Sequence, residues 1–429
     1  MRRFICLLLA IAMMFSILTV QVFADAQKTE LSFMMFDEGT GDPMVEAMKK
    51  AIADFNATNE HNVVIVPEYI ASEQTKTKLP TMMAANAAPD LFNAWVSGYL
   101  EPYVSAGKVY NLSDALAADA EWANSFLDGT FTHLAYADGG IYGVPMQIGV
   151  WTMYYNTEIF DAHGLKIPET WDELVEDLKT IRDADPEILP LAFGNKSAWP
   201  IASLCEGLTN RIGGSEPFQQ AAVGEIPWTS EPFIEAANRI KELVDEGLLA
   251  DGVNALPTEE TAAQFKTGNT AVMSINDNRI GMLVDSPVDG KYVVRNIPSV
   301  EGGVGDPNLW LGQPSRTICI SETCPDKEGA VAFLKYMTSP EVVQYNVVNG
   351  GIIPVIKGDL IDASDIGPQN QALLDQVKDM SGIFVFYDIV LGSVLGVEYN
   401  NTIQSIVAGT DPQEAFEQYQ SFFVENYEG

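Results

Sequence analysis

The segment from Asp138 to Trp171 restricts the possible folds of this chain more than any other segment. After a Gly-Gly turn, the run from Val150 to Tyr155 is almost continuously apolar, which is typical of a strand covered on both faces. Thr170 and Glu173 then precede an apolar helical repeat. That spacing predicts a capping box, in which each side chain satisfies a backbone donor of the other residue. A buried strand followed by a capped helix indicates an α/β fold.

The N-terminal third reads as alternating strands and helices. Strands are predicted at Leu31–Phe36, Val63–Ile70 and 90–94, with helices at 44–55 and 73–87. Such β-α-β alternation predicts a parallel sheet with helical crossovers. In open sheets of this kind, ligands bind beyond the carboxyl ends of the strands.

The residues that leave those strand ends are therefore candidate ligand contacts. Asp37 and Glu38 follow the first strand, and Asn93 and Trp95 lie at the end of the third.

The remaining elements continue the α/β pattern in a second part of the chain. The predicted order is a strand at 150–156, a helix at 171–183, a strand at 189–193, an apolar segment near 199–212, helices at 232–246 and 258–267, strands at 270–275 and 292–297, a strand at 316–320 that rejoins the first sheet, a helix from 327, and terminal helices at 396–408 and 412–426.

The chain is expected to form two lobes, because 429 residues exceed what one hydrophobic core usually supports. No long linker is present, so we expect short hinge crossings. Residues 25–141 with 298–335 are assigned to the N-terminal lobe and residues 142–297 with 336–429 to the C-terminal lobe. The return crossing is predicted at 298–303.

The first residues predict export. Arg2 and Arg3 precede an apolar block from Phe4 to Val20, and small residues lead to Ala24, which is typical of a cleavable signal peptide over residues 1–24. A membrane anchor is the alternative, but the block is shorter than the ~20 residues that span a bilayer. Cys6 lies inside the block, so a lipid anchor is not expected. We predict a periplasmic or extracellular protein that is neither lipidated nor embedded in a membrane.

The formal net charge of −35 excludes some partners. Nucleic acid and anionic membrane surfaces would repel such a chain. The charge is consistent with simple solubility, and it is also consistent with a cationic ligand such as a polyamine.

Cysteine and histidine patterns give no metal, cofactor or disulfide framework. Cleavage leaves three cysteines, Cys205, Cys319 and Cys324, an odd number that cannot all pair within the chain. They are interpreted as buried small apolar residues, with a disulfide between Cys319 and Cys324 as the alternative. The acidic residues Asp37, Glu38 and Asp42 are interpreted as a solvated turn rather than a Ca²⁺ loop. No catalytic residue is predicted, although paired carboxylates for glycoside hydrolysis stay open.

Four tryptophans are candidate platforms for a ligand, because the apolar face of a pyranose stacks on an aromatic ring. Trp95, Trp151, Trp199 and Trp310 lie in or beside predicted inter-lobe segments, although any one of them could instead be a core residue. Trp122, Trp171 and Trp228 are assigned to packing.

Three motifs in fixed order carry a family resemblance. They are "YGVP", "YYN" and "IPETWDEL" within 138–174, "AAQFKTGNTAVMSIND" at 262–277, and "KEGAVAFLKYMTSPEVVQYNVVNGGIIP" at 327–354. Together they resemble family 1 of the extracellular solute-binding proteins, the carbohydrate-binding components of ABC importers that are similar to maltose-binding protein. The resemblance implies a two-lobed, type II periplasmic-binding-protein-like fold with discontinuous lobes joined by hinge crossings.

The resemblance also implies a function. We expect a monomer without catalytic activity that captures a mono- or oligosaccharide between its lobes and delivers it to the permease subunits of an importer. A polyamine binder of the same fold and a secreted glycosidase are the alternatives.

By the same resemblance, the sugar is bound by polar groups after the first strand, by an aromatic residue after the third, and by two later segments. The corresponding residues are Asp37, Glu38, Trp95, Gln147, Trp151, Asn276 and Asp277. One position departs from the family: many relatives place Gly and then Trp after the "IN" turn, whereas this chain has Arg279. Arg279 could stack on a sugar, pair with a sugar carboxylate, or neutralise Asp277.

Overall fold

A computed structural model describes residues 28–427, apart from the side chain of Asn278. The predicted signal peptide lies outside the described residues. The strands are β1 Thr29–Phe36, β2 Val63–Ile70, β3 Leu91–Ala94, β4 Gln147–Asn156, β5 Leu189–Ala192, β6 Thr270–Asn276, β7 Tyr292–Arg295, β8 Leu309–Ser315, β9 Thr317–Ile320 and β10 Gly382–Phe384.

The helices of the first half are α1 Pro43–Thr58, α2 Ser72–Ala84, α3 Glu101–Ser105, α4 Ser113–Ala118, α5 Ala120–Ser125, α6 Thr157–Ala162, α7 Trp171–Ala184 and α8 Trp199–Gly213. Those of the second half are α9 Glu216–Ala222, α10 Glu231–Asp245, α11 Glu260–Lys266, α12 Ile280–Leu283, α13 Lys327–Met337, α14 Pro340–Gly350, α15 Pro368–Val377, α16 Tyr387–Val407 and α17 Pro412–Asn426. Short 3-10 turns occupy Ser97–Tyr99, Thr132–Leu134, Val253–Ala255, Asp277–Arg279, Gly358–Leu360 and Ala363–Asp365.

The first sheet has the strand order β2-β1-β3-β9. Strand β1 runs parallel to β2 and β3, and β9 is antiparallel to β3. Helix α1 begins with Pro43 after the N-cap Asp42, and its predicted apolar face is buried against the sheet. The β-α-β unit expected from the sequence is therefore confirmed.

The second sheet has the order β10-β8-β4-β6-β5, and β7 pairs with the far end of β4. All ten residues of β4 are buried, as the apolar run predicted. The capping box of Thr170 and Glu173 is present at the start of α7. Helices α8, α10, α16 and α17 pack together on one side of this sheet.

Strand pairing corrects the predicted return crossing. Ser299 pairs with Thr170, and β8 is antiparallel to β4 in the second sheet, so the chain does not return to the first sheet at 298–303. It crosses at Arg316, between β8 and β9. Strand β8 was missed because its sequence, LWLGQPS, contains Gly and Pro, which weaken a strand prediction.

A second boundary also differs from the prediction. Helix α14 packs on α1 beside the first sheet, whereas the sequence analysis places residues 336–429 in the C-terminal lobe. The grouping of the other segments into two lobes stays a prediction.

Three connections link the two sheets. One leads from Val144, which pairs with Ile318, into β4, and another is Arg316. The third follows α14, where Ile353 pairs with Ile148. Short connections of this kind are suited to hinge motion.

A close backbone contact joins the loop after β3 to helix α16. The helix is interrupted at Gly392, where φ is 78°, and Gly98 lies against this interruption. A Cβ atom on Gly98 would meet the Val390 carbonyl oxygen at 2.5 Å. Only glycine permits such an approach without displacement of the backbone.

The tryptophans and cysteines assigned to packing are buried as predicted. Trp122, Trp171 and Trp228 are core residues, and Cys205, Cys319 and Cys324 are buried free thiols. The alternative bridge between Cys319 and Cys324 is therefore not formed. None of the helices within residues 28–427 combines the length and apolar character that a membrane crossing demands.

Candidate functional site, a cleft between the two sheets

A cleft of ≈ 1130 Å³, partly open to solvent, lies between the two sheets. Seven of the predicted ligand residues line it: Asp37, Glu38, Trp95, Gln147, Trp199, Asn276 and Arg279. They come from the carboxyl ends of β1 and β3, from the start of β4 and α8, and from the end of β6. Asp37, Glu38 and Trp95 thus lie beside the cleft at the carboxyl ends of β1 and β3, and their contact with a ligand stays a prediction.

The first wall of the cleft is formed by residues around the first sheet and the second wall by residues around the second sheet. Each wall contributes one indole. Trp95 follows β3 and contacts Phe36 with ring centroids 4.8 Å apart. The Lys76 ammonium lies 5.2 Å from its centroid, a cation–π contact. Trp199 opens α8 on the opposite wall. The two rings give the cleft apolar surface on both sides.

Trp151 and Trp310 do not line the cleft, contrary to the prediction. Trp151 is fully buried behind the second wall, packed edge-to-face against Trp199 at 5.9 Å, and its indole nitrogen donates to Ser274. Trp310 is buried within β8. A strand buried on both faces places some of its rings in the core, and the sequence does not distinguish those rings from cleft residues.

Asn93 and Asp277 are also absent from the wall, because backbone groups engage them. The Asn93 side chain accepts from the Phe36 amide at 3.0 Å and donates to the Arg316 carbonyl at 3.1 Å. Asp277 accepts from the Val150 amide at 2.9 Å. Both residues hold strand ends in place beside the cleft.

Three of the four carboxylates on the first wall are paired with cations, and the fourth, Glu38, accepts from the Ser72 amide at 2.8 Å. Asp37 binds Lys49 at 2.8 Å and Glu73 binds Lys76 at 3.0 Å. Burial alone would raise the pKa of Asp37, but hydrogen bonds from Lys49 and the Gly39 amide outweigh it and lower this pKa. Asp37 is therefore a stable anion at neutral pH.

Asp42 is buried rather than part of a solvated turn, which corrects that interpretation. Its carboxylate caps α1 through the Met44 amide and binds Arg316 at 2.9 Å. Arg316 also donates to the Phe36 carbonyl. The hinge residue Arg316 is thereby fixed to the end of β1.

Charges of the second wall are arranged differently. Glu259 and Arg279 line this wall, and no described residue of opposite charge forms an ion pair with either one. The only described hydrogen bond of the Arg279 guanidinium goes from Nη1 to the sulfur of Met282, at 3.5 Å.

Two amide side chains lie where the walls meet. Gln147 of β4 and Gln313 of β8 both line the cleft. The Oε1 atom of each is buried, and no described group donates a hydrogen bond to it. Buried polar atoms are nearly always hydrogen-bonded in native structures, so these two atoms are suited to a ligand hydroxyl.

A buried acidic pair lies at the cleft: Asp388 is one of its lining residues, and Glu206 lies behind them. Burial raises the pKa of Glu206 well above its ordinary value, and the nearby Asp388 raises it further. Burial also raises the pKa of Asp388, which accepts from Asn400 at 2.9 Å. Asp388 and Lys76 both line the cleft, and the charge of Lys76 opposes the rise in the pKa of Asp388.

Several cleft residues were missed by the sequence analysis. They are Asp42, Ser72, Glu73, Lys76, Ser203, Glu259, Gln313, Arg316, Phe386 and Asp388. Gln313 and Arg316 would have been found if β8 had been recognised. The residues of α2 and α16 lie on helices, where no local pattern separates a cleft face from a solvent face.

The arrangement is that of a site for a polar solute with an apolar face. It offers two indoles, carboxylate and amide acceptors, and guanidinium donors. Among the described residues, no group of three His, Cys, Asp or Glu side chains is placed to hold a metal ion.

Comparison with known proteins defines the class. The family model described as bacterial extracellular solute-binding protein matches residues 41–344. Because this match covers most of the chain, the protein belongs to the family of bacterial extracellular solute-binding proteins. Members of this family bind solutes outside the cytoplasm.

Curated relatives are similar over most of their length. The melibiose/raffinose/stachyose-binding protein MelE of Bacillus subtilis is 22% identical over 362 residues, which are 80% of this chain and 78% of the relative. The multiple sugar-binding protein of Streptococcus mutans is 24% identical over 328 residues, or 73% of each chain.

Solved structures confirm the type II fold. A structure from a study of xylan utilization by Caldanaerobius polysaccharolyticus has a TM-score of 0.85 at 28% identity, covering 91% of this chain and 99% of its own. A chitin oligosaccharide binding protein also has a TM-score of 0.85, at 23% identity, covering 94% and 100%.

Proposed function

We propose that this protein captures a carbohydrate in the cleft between its sheets and delivers it to an ABC importer. The observation that carries the proposal is the composition of the cleft, which combines an indole from each wall with carboxylates and with two amide oxygens that accept from no described group. Indoles stack on the C–H face of a sugar ring, and the polar groups bind its hydroxyls. Family membership and the sugar-binding names of the relatives support the same conclusion.

The energetics are sufficient for micromolar capture. A hydrogen bond to a charged group contributes about 1.5–3 kcal/mol when shielded from water. A few such bonds are partly offset by the loss of motional freedom on binding. The resulting free energy of binding is about −8 kcal/mol, which corresponds to a micromolar Kd.

A thermal-shift screen tests the proposal. Mono- and oligosaccharides, including xylo-oligosaccharides suggested by the structural relative, are compared with spermidine. A ligand at a hundred times its Kd should stabilise the protein by about 2.7 kcal/mol. Stabilisation by a sugar and not by spermidine is the expected result. Stabilisation by spermidine alone would replace this proposal with polyamine binding.

The polyamine alternative keeps one supporting observation. Glu38 and Glu259 line the cleft without a cationic partner among the described residues, and carboxylates between indoles suit an amine. We favour the sugar because the curated relatives carry sugar-binding names, and because the cleft also contains Arg279, a cation without an ion-pair partner among the described residues.

A matched pair of variants connects binding to the cleft. Glu259 lines the cleft, whereas its neighbour Glu260 does not. Glu259→Gln should reduce the affinity for the stabilising sugar about tenfold or more, the effect of losing one charged hydrogen bond. Glu260→Gln should bind as the wild type does. Equal affinity of all three proteins would place the sugar elsewhere.

We also propose that the protein is exported by a cleavable signal peptide, is not lipidated, acts as a monomer and has no catalytic activity. The mass of the secreted protein should correspond to a chain beginning at Asp25, without added lipid. Incubation with the bound oligosaccharide should release no new reducing ends. Sustained hydrolysis that one carboxylate substitution abolishes would identify a glycosidase instead.

Delivery to an importer is tested in cells. Deletion of the gene should abolish uptake of the bound sugar at micromolar concentration, and a plasmid copy should restore it. A plasmid copy with Trp199→Ala should restore it poorly. Undiminished uptake in the deletion strain would contradict the transport role.

A further inference from the structure

We infer that Arg279 selects a carbohydrate that carries a carboxylate, such as a uronic acid or an oligosaccharide with an acidic branch. The inference rests on the proposed function and narrows the class of ligand for the same cleft.

The hydrogen bonding of Arg279 leaves its donors available. Its guanidinium contacts the sulfur of Met282 at 3.5 Å through Nη1, and thioether sulfur is a weak acceptor. Nε is buried and has no acceptor among the described residues. No described residue supplies an oxygen atom to any of the three guanidinium nitrogens.

The other two cations on the cleft wall differ from Arg279 in this respect. Lys76 binds Glu73 at 3.0 Å, and Arg316 binds Asp42 at 2.9 Å. When a ligand fills the cleft and displaces water, an arginine without an acceptor loses its hydration, which is unfavourable unless the ligand replaces it. The ligand must therefore carry the acceptor for Arg279.

A carboxylate is the acceptor that fits a guanidinium best. Two parallel N–H groups bind its two oxygens, which gives a stronger and more directional contact than a single hydroxyl can give. Asn276 lines the same wall and can bind a ring hydroxyl beside the carboxylate.

The acidic residues of the cleft do not rule out an anionic sugar. Of the six carboxylates on the wall, Asp37, Asp42 and Glu73 are paired with cations. Asp388 accepts from Asn400 and interacts electrostatically with Lys76. Glu38 and Glu259 remain, and carboxylates bind the hydroxyl groups that an acidic sugar also carries.

Isothermal titration calorimetry with matched ligands tests the inference. The first pair is glucuronate and its methyl ester, which has a similar shape without the charge. The second is xylotriose with and without a 4-O-methylglucuronate branch. The wild type should bind the acidic member of at least one pair about tenfold tighter, within the range of a charged hydrogen bond.

Two variants locate the preference. Arg279→Gln should weaken binding of the acidic ligand by about ten- to a hundredfold and change binding of its neutral partner by less than about threefold. Arg279→Lys keeps the charge but lacks the planar fork, so it should retain part of the preference. Unfolding midpoints equal to that of the wild type show that the variants fold.

Two results would overturn the inference without affecting carbohydrate capture. One is a wild-type protein with equal affinity for the acidic and neutral ligands of both pairs. The other is an Arg279→Gln variant whose affinity falls equally for the acidic ligand and its neutral partner. A protein that binds neither these ligands nor any other sugar would overturn the proposed function as well.

Discussion

Both walls of the cleft carry charged residues, but the two walls differ in how many of those residues form ion pairs. On the first wall, Asp37, Asp42 and Glu73 are bound to Lys49, Arg316 and Lys76, and Glu38 alone has no cationic partner among the described residues but accepts from the Ser72 amide. On the second wall, Glu259 and Arg279 have no ion-pair partner among the described residues. Paired charges hold their own geometry before a ligand arrives, whereas isolated charges gain a partner only from the ligand. The comparison suggests that the first wall is preorganised and that the second determines which solute is bound.

The largest effect is expected at a residue behind the second wall. Trp151 is fully buried against Trp199 and Phe386, so Trp151→Ala should lower the free energy of unfolding by about 3–5 kcal/mol. Trp199→Ala, at the half-buried wall position, should lower it by clearly less but should weaken sugar binding. Urea unfolding and calorimetry measure the two effects. A stable Trp151→Ala protein with a selective loss of affinity would return Trp151 to the ligand site.

The contact between the walls gives the next effect. In Gly98→Ala, the new Cβ would meet the Val390 carbonyl oxygen at 2.5 Å and the Gly392 amide nitrogen at 2.9 Å. We expect the lobes to stay further apart and the sugar affinity to fall at least about tenfold, or about 1.4 kcal/mol.

Small-angle X-ray scattering and calorimetry measure the effect of this substitution. Gly358→Ala is the control, because a Cβ there meets nothing within 4 Å. A Gly98→Ala protein that compacts with sugar as the wild type does would show that this contact does not limit closure.

Preorganisation of the first wall can be tested at Asp42. Asp42→Ala removes the cap of α1 and the partner of Arg316. Because the loss of an N-cap alone costs about 0.5–2 kcal/mol, the free energy of unfolding should fall by at least that amount. Asp42→Asn keeps the cap and loses only the charge. In chemical unfolding, its free energy of unfolding should therefore lie between those of the wild type and Asp42→Ala. If both variants match the wild type, the ion pair at the hinge contributes nothing to the first wall.

The smallest effect concerns pH and the acid behind the cleft. Since burial raises the pKa of Glu206, the folded protein keeps this proton above pH about 4.3, where the unfolded chain releases it. Unfolding then releases a proton, so this residue makes stability fall as pH rises.

Glu206→Gln should therefore gain stability relative to the wild type between pH 5 and pH 8, as followed by urea unfolding. The exposed Glu60→Gln is the control. A stability difference between Glu206→Gln and the wild type that does not change with pH would mean that Glu206 titrates normally.

The sequence predicted those parts of the fold that depend on local pattern. Strands β1, β2 and β4 and the capped helix α7 follow from apolar runs and cap spacing. It placed seven residues at the cleft because strand ends and the family motifs indicate them. Strand β8 was missed because Gly and Pro interrupt it, and the hinge at Arg316 was missed with it.

Side-chain direction could not be predicted. Trp151 and Gln147 lie on the same strand, yet the Trp151 ring is buried in the core whereas the Gln147 side chain lines the cleft. Lys76 of α2 and Asp388 of α16 line the same cleft, although they are more than 300 residues apart in sequence and share no local signal. Long-range contacts of this kind require the tertiary structure.

Hydrogen–deuterium exchange with the tightest sugar of the screen tests the central claim most directly. The account predicts slower exchange at both walls together, in residues 36–42 of the first and 276–280 of the second. Protection of one wall alone, or protection confined to a separate apolar groove lined mainly by residues within 127–133 and 353–383, would contradict capture between the lobes.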